Sequence, residues 1–246
     1  MPRLEPYSKE LSYSYALGLY PSLSLLETRP ETAQRLLLSQ DALKDAGGAG
    51  KLREKCALLG IREEAADRVL RRESGKDNCF AALVFKKYSC ELDKALPHAV
   101  LCQISDLGNL GTILRSAVAF GYRDVALIRP CVDPFEPHVI RASMGAGFRL
   151  RLKVYDDFAA YRSEFPDRAC YPFMLDGARE LNDIAPNAPR QHSLIFGNEA
   201  RGLDASFASV GQSVLIPQSR EIDSLNLSVA ASIAMYTFSN SRKASL

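Results

Sequence analysis

The chain has 246 residues, of which 47% are hydrophobic and 24% charged, an ordinary globular composition long enough for one large domain or two small ones. Lys plus Arg total 31 against 29 Asp plus Glu, and a net charge of only +2 excludes a histone-like or tail-driven nucleic-acid binder while leaving room for a local basic face. No apolar run approaches the ~18 residues of a membrane span, the opening MPRLEPYSKE lacks the apolar core of a signal peptide, and Cys56, Cys79, Cys90, Cys102, Cys131 and Cys170 include no C-x-x-C pair, so thiols in a reducing cytoplasm are expected rather than disulfides or a metal site.

Residues 1–95 read as a small mixed domain holding 16 basic and 14 acidic side chains. Leu36–Leu38 and Phe80–Phe85 are apolar runs that predict strands, and 51–59 and 63–70 have helical composition. Lys51, Arg53, Lys55, Arg62, Arg68, Arg71, Arg72 and Lys76 crowd one stretch, offset by Glu54, Glu63, Glu64, Asp67 and Glu73. That pattern reads as a solvated helical surface, with an RNA-facing surface as the sharper alternative. Gly47-Gly48-Ala49-Gly50-Lys51 fails as a phosphate loop, because Asp45 stands where glycine is needed and Leu52 where Ser or Thr is needed. It predicts a flexible turn. Residues 88–97 read as a linker.

Residues 96–246, with 15 charges of each sign, become regular. Apolar runs at 99–104, 125–128, 150–155, 171–175, 194–196 and 214–216 predict buried strands, several separated by helical stretches at 110–120, 156–165 and 225–238. Alternation of this kind implies a mostly parallel sheet covered on both faces, with ligands at the carboxyl ends of its strands.

Three loops after those strands hold the polar residues. In the first, 106–115, two glycines permit a tight turn, Asn109 or Thr112 is expected to cap the following helix, and Arg115 points away from the apolar stripe, near a helix start suited to a phosphate. The second is Gly197-Asn198-Glu199-Ala200-Arg201-Gly202, a strand-to-helix turn in which Glu199 alone reads as a first-turn acid. The third runs from Ile216-Pro217 to Ser224-Leu225-Asn226, where Ser and Asn alone read as ordinary N-caps of an alanine-rich helix. No G-x-G-x-x-G follows a strand, and His98, His138 and His192 match no metal-ligand spacing, so no metal is expected.

Taken together, NLGTILRSAVAFG, FGNEARGL and IP followed by SLNLSVAASIA, with RASMGAGF at 141–148 between them, resemble the motifs of the SpoU/TrmH family of the SPOUT superfamily. The resemblance covers roughly 98–240, and 1–95 resembles the ribosomal-protein-like RNA-binding domain that many members carry. It implies an α/β fold, a SPOUT-type mostly parallel sheet with a C-terminal trefoil knot, preceded by a small α/β RNA-binding domain, with the boundary near 95/96. It also implies an S-adenosylmethionine-dependent methyltransferase, yielding S-adenosylhomocysteine, that acts on a ribose 2′-hydroxyl of structured RNA, ribosomal RNA ahead of transfer RNA.

The same resemblance implies a homodimer in which the partner completes each site, while composition and residue spacing lead to the expectation of a cytoplasmic protein with no membrane and no metal. Cofactor-binding positions would be Leu175, Asp176, Gly177, Phe196, Gly197, Asn198, Ile216, Pro217, Ser224, Leu225 and Asn226, and the catalytic set Asn109, Arg115, Glu199, Ser224 and Asn226. An ordinary arginine is a poor base, so Arg115 is expected to hold a phosphate and stabilise developing alkoxide charge. Arg149 and Arg151 depart from the family's more apolar usage. The alternatives are a non-catalytic RNA-binding or ribosome-assembly protein on the same scaffold, and a methyltransferase for a small molecule or protein.

Overall fold

The computed structural model describes residues 4–44, 46–75, 79–219 and 221–243, without the side chains of 46–48, 242 and 243; Asp45 and Lys76 fall outside the described residues. The chain divides into two compact units, one of residues 1–88 with 133–149, the other of 89–132 with 150–246.

In the first unit, β1 (Tyr13–Leu17) leads to α1 (Leu19–Thr28), β2 (Ala33–Leu38), α2 (Gln40–Lys44), α3 (Ala46–Leu58), β3 (Arg62–Ala65), α4 (Asp67–Ser74) and β4 (Ala81–Lys86). The strands form a sheet in the order β1-β4-β2-β3, antiparallel except for β2 and β3. Side chains alternate across it. Ala16, Leu36, Leu38, Leu83 and Phe85 pack with Leu25, Leu52 and Cys56 of α1 and α3, while Tyr15, Leu17, Leu37 and Val84 pack with Leu70 of α4.

Two expectations fail here. The glycine-rich stretch is the start of helix α3 rather than a turn, because buried Ala49, Leu52 and Cys56, at helical spacing, outweigh roughly 1 kcal/mol of lost propensity per glycine. Residues 62–65 of the stretch expected to be helical form an edge strand paired with β2 before α4 begins. All four of their side chains are half-buried or exposed, so no apolar signal marks the strand.

The second unit carries β5 (His98–Cys102), α5 (Leu107–Ala119) and β6 (Asp124–Ile128). The chain then crosses to the first unit for 133–149, which contains α6 (Pro137–Ala142). It returns for β7 (Arg151–Tyr155), α7 (Phe158–Glu164), β8 (Ala169–Pro172), β9 (Arg179–Glu180), α8 (Leu181–Ile184), β10 (His192–Phe196), β11 (Val214–Leu215) and α9 (Leu227–Lys243). Five strands form a parallel sheet in the order β7-β6-β5-β10-β8. The run at 214–216 lies outside it, paired with β9.

The crossing of 133–149, which cuts across a division at 95/96, has a packing cause. Phe135, Ile140 and Phe148 are buried with Phe85 in the core of the first unit, each contributing roughly 2 kcal/mol. Ser14 Oγ donates to the Phe135 carbonyl, and Lys87 and Tyr7 both reach Asp133, at 2.7 and 2.6 Å. Gly145, at φ +76°, lies so close to α1 that a Cβ would stand 2.9 Å from Pro21 Cα and Ser24 Cβ.

Arg149 pairs with Glu27 in the first unit. In the second, Arg151 holds the fully buried Asp124 through two bonds of 2.6 and 2.5 Å. The Asp124 carboxylate also accepts from the Asp93 N–H at 2.8 Å, which fastens the linker.

Candidate active site

Loops at the carboxyl ends of β8, β10 and β11 surround a cavity of about 330 Å³ in the second unit. The loop after β8 is tied to β11, with the Met174 N–H donating to the Val214 carbonyl (3.0 Å) and the Ala178 N–H to Ser213 Oγ (2.9 Å). In the loop after β10, Asn198 and Gly202 exchange backbone hydrogen bonds of 3.2 and 2.9 Å. Gly197 makes that turn sterically feasible, because a Cβ there would overlap the backbone of Gly202 and Leu203. The rings of Phe173 and Phe196 stack at 4.7 Å and supply apolar wall.

Of the expected cofactor positions, Leu175, Asp176, Phe196, Gly197, Asn198, Ile216, Ser224 and Leu225 line the cavity. Gly177, Pro217 and Asn226 do not, although each is a chain neighbour of a lining residue or one removed from it. Phe173, Arg201, Leu203, Gln218 and Leu227 also line it and were missed, since nothing in their residue types distinguishes them from ordinary loop and core positions.

Glu199 sits at the cavity wall and joins two loops. Its carboxylate accepts from the Asp106 N–H (2.9 Å), the Ser105 N–H (3.2 Å), Ser105 Oγ (2.9 Å) and Asn198 Nδ2 (3.2 Å). Burial pulls its pKa up, but the Asp106 amide and the other donors outweigh burial and hold the carboxyl below its usual range. Glu199 is therefore a charged clasp between loops, not a helix first-turn acid.

Asn109 Oδ1 accepts from Asn226 Nδ2 at 3.0 Å, bringing the third loop to the first. Asn226 Oδ1 in turn accepts from the Ser228 N–H (2.8 Å) and caps α9. The cap of α5 is Asp106, which accepts from the Asn109 N–H at 2.7 Å, rather than Asn109 or Thr112. Three of the five expected catalytic residues thus gather around one junction, and Ser224 is exposed on the cavity wall beside it.

Arg115 is not at that junction. It is exposed on α5, more than two turns from the Asp106 cap and outside the reach of the helix N-terminus. Among the described residues no hydrogen bond or ion pair holds it. Gln103, where β5 ends, also escaped the sequence reading. It takes a left-handed φ of +58°, and its carbonyl accepts from Asn198 Nδ2 at 2.9 Å. No group of His, Cys, Asp and Glu suited to a metal occurs among the described residues.

A parallel sheet with helices over it, and a small-molecule cavity walled by loops beyond its strand ends, defines an α/β protein built to bind a cofactor at that edge. Residues 97–236 match the SpoU rRNA Methylase family, and the chain belongs to that family. It is 33% identical over 150 residues to an uncharacterized tRNA/rRNA methyltransferase of Synechocystis, covering 57% of this chain and 53% of the relative. The AdoMet-bound rRNA methyltransferase of Sinorhizobium meliloti shares the fold, with a TM-score of 0.78 at 23% identity over 96% of this chain and 88% of that one. A structure solved for 2-OH methylation of C/U34 on tRNA gives a TM-score of 0.57 at 28% identity, covering 62% of this chain and 99% of that one. The chain spans about half or less of the length of the first curated relatives it matches.

S-adenosylmethionine is the cofactor of this family. The cavity fits it in size and chemistry. Its volume falls in the range of small-ligand pockets. Leu175, Phe196, Ile216 and Leu225 offer apolar wall to an adenine, while the loop backbones and the Asp176 and Glu199 carboxylates offer polar groups to a ribose and a cationic tail.

Proposed function

We propose that the chain methylates a ribose 2′-hydroxyl of structured RNA, ribosomal RNA ahead of transfer RNA, using S-adenosylmethionine. The observation that carries this is the junction of Glu199, Asn109 and Asn226, which ties the three motif loops together beside the cavity. When bound, the cofactor supplies a methyl group on a sulfonium, open to in-line displacement. The chain's part is placement. The apolar wall fixes the adenine, and Asn109 and Asn226, locked to each other, present amide groups to the ribose, where a well-held approach accounts for much of the rate. Glu199 keeps the loops assembled.

Arg115 acts from a second copy of the chain, clamping a phosphate and stabilising charge as the hydroxyl loses its proton. Support for a homodimer comes from α9, where Val229, Ile233 and Tyr236 form an exposed apolar stripe at helical spacing. This helix packs against α5, which bears Arg115. The trefoil knot belongs to the same proposal, supported by the convergence of three loops on one cavity. So does RNA recognition by the first unit. A cytoplasmic location is part of the same proposal.

Calorimetry with S-adenosylmethionine and single-turnover transfer to in vitro transcribed ribosomal RNA test this. Wild type should bind the cofactor, and Arg115→Ala should bind it equally well while transferring methyl groups about 100-fold more slowly. Absent cofactor binding would favour the non-catalytic binder, and near-normal transfer by Arg115→Ala would remove Arg115 from the site.

A further inference from the structure

The segment RASMGAGF is the one motif the methyl-transfer site leaves unused. It lies in the first unit, where its residues border the end of the sheet at which β1 finishes and β4 begins. The Gly18 N–H donates to the Ala81 carbonyl (2.8 Å), bringing the start of α1 beside Phe80, and Gly145 packs on Pro21 and Ser24 of α1. Three large side chains stand in solvent there. Tyr20 is 70% exposed, Met144 44% and Phe80 41%. Met144 is held outward at the end of α6 by a left-handed φ of +55°. Arg141 completes the patch. It is half-buried, its charge reaches Cys79 beside Phe80, and among the described residues no carboxylate pairs with it.

We propose that Tyr20, Phe80 and Met144, with Arg141, form a docking surface for unstacked bases of single-stranded RNA. Two exposed rings and a polarizable thioether offer faces to bases, which stack on aromatic side chains in any sequence, and the guanidinium takes the adjoining phosphate. A stable protein partner would need roughly 800 Å² from this side, more than three side chains provide. The chain enters this segment from β6 and leaves it for β7, so RNA gripped here is held by a stretch continuous at both ends with the methyl-transfer unit. The inference rests on the RNA-substrate reading and names where the first unit would hold that RNA.

The test uses the full chain, fluorescein-labelled oligoadenylate and an abasic oligomer of equal length, at one fixed salt concentration. Tyr20→Ala should weaken oligoadenylate binding about tenfold, Tyr20→Phe should restore it, and Phe80→Ala should act like Tyr20→Ala. Binding of the abasic oligomer should not respond to the ring variants but should fall in Arg141→Ala. Affinity for S-adenosylmethionine, measured by calorimetry, should stay at the wild-type value throughout. Undiminished oligoadenylate binding by both ring variants, no binding by wild type, or a changed oligomeric state in Tyr20→Ala would overturn the proposal. Loss of oligoadenylate binding in the ring variants of a protein that binds no S-adenosylmethionine would sustain this surface and refute the methyltransferase reading alone.

Discussion

Asn226 Nδ2 donates to Asn109 Oδ1 across 3.0 Å, joining residues 117 positions apart, while Asn226 Oδ1 caps the helix that follows it. One side chain thus both starts α9 and fixes the loop that opens α5. Asn226→Asp keeps the capping acceptor and loses the donor. We expect its melting temperature to stay near wild type while single-turnover methyl transfer falls at least about tenfold. Asn226→Ala loses both functions and should cost a further ~1 kcal/mol of stability. Full activity in Asn226→Asp would show that the link to Asn109 is dispensable.

Glu199→Ala removes the acceptor shared by the Asp106 and Ser105 amides and Ser105 Oγ. These donors are partly open to water, so stability should fall by only about 1–2 kcal/mol. Cofactor affinity should fall with it, because the clasp shapes the cavity wall. The carboxyl is held below its usual range, so its contribution is present at neutral pH and above the ordinary carboxylate pKa, and is lost only as pH falls through the lowered value. Calorimetric titrations from neutral to mildly acidic pH should show unchanged cofactor affinity from this group, and a loss near neutrality would contradict that.

Much of this site was legible because its parts are local. The apolar runs of β5, β6, β7 and β10 announce a buried parallel sheet, and the loops after strands follow from that. The Ser105 and Asp106 amides that hold Glu199 lie more than 90 residues away, so sequence alone offered only the helix-acid reading. Asp106 was overlooked as the cap because Asn109 and Thr112 meet the same residue preference. The crossing of 133–149 was invisible for a different reason. Phe135, Ile140 and Phe148 announce burial, but nothing local says in which unit's core.

His98 gives the fold a pH dependence. It is fully buried, with Nδ1 against the Tyr161 hydroxyl (2.9 Å) and Nε2 against the Asp93 carbonyl (2.8 Å), and burial followed by the Arg168 charge pushes its pKa down to about 4. The unfolded chain takes up this proton near pH ~6.5, and the folded chain does not. The contribution of His98 is therefore complete above ~6.5 and lost progressively as pH falls toward 4, by about 3 kcal/mol in all. Urea midpoints should decline through this window, and His98→Gln should flatten the decline. An unchanged slope in that variant would place the sensitivity elsewhere.

Gln103 occupies the left-handed region at φ +58°, where a Cβ costs roughly 1–2 kcal/mol. Glycine removes that cost and adds back roughly 0.5–1 kcal/mol of unfolded-state entropy. Gln103→Gly should therefore raise stability by up to about 1.5 kcal/mol, measured by chemical denaturation. A clear loss would mean that the glutamine side chain itself supports the fold.

The most direct test of the central claim is the chemical position of the transferred methyl group. Tritiated S-adenosylmethionine, the wild-type chain and unmodified ribosomal RNA should give label in a 2′-O-methylated nucleoside after digestion, with resistance to alkali at the adjoining phosphate, and Asn109→Ala should abolish most of it. Label on a base, label on protein, or none in RNA from a protein that binds the cofactor would contradict the account.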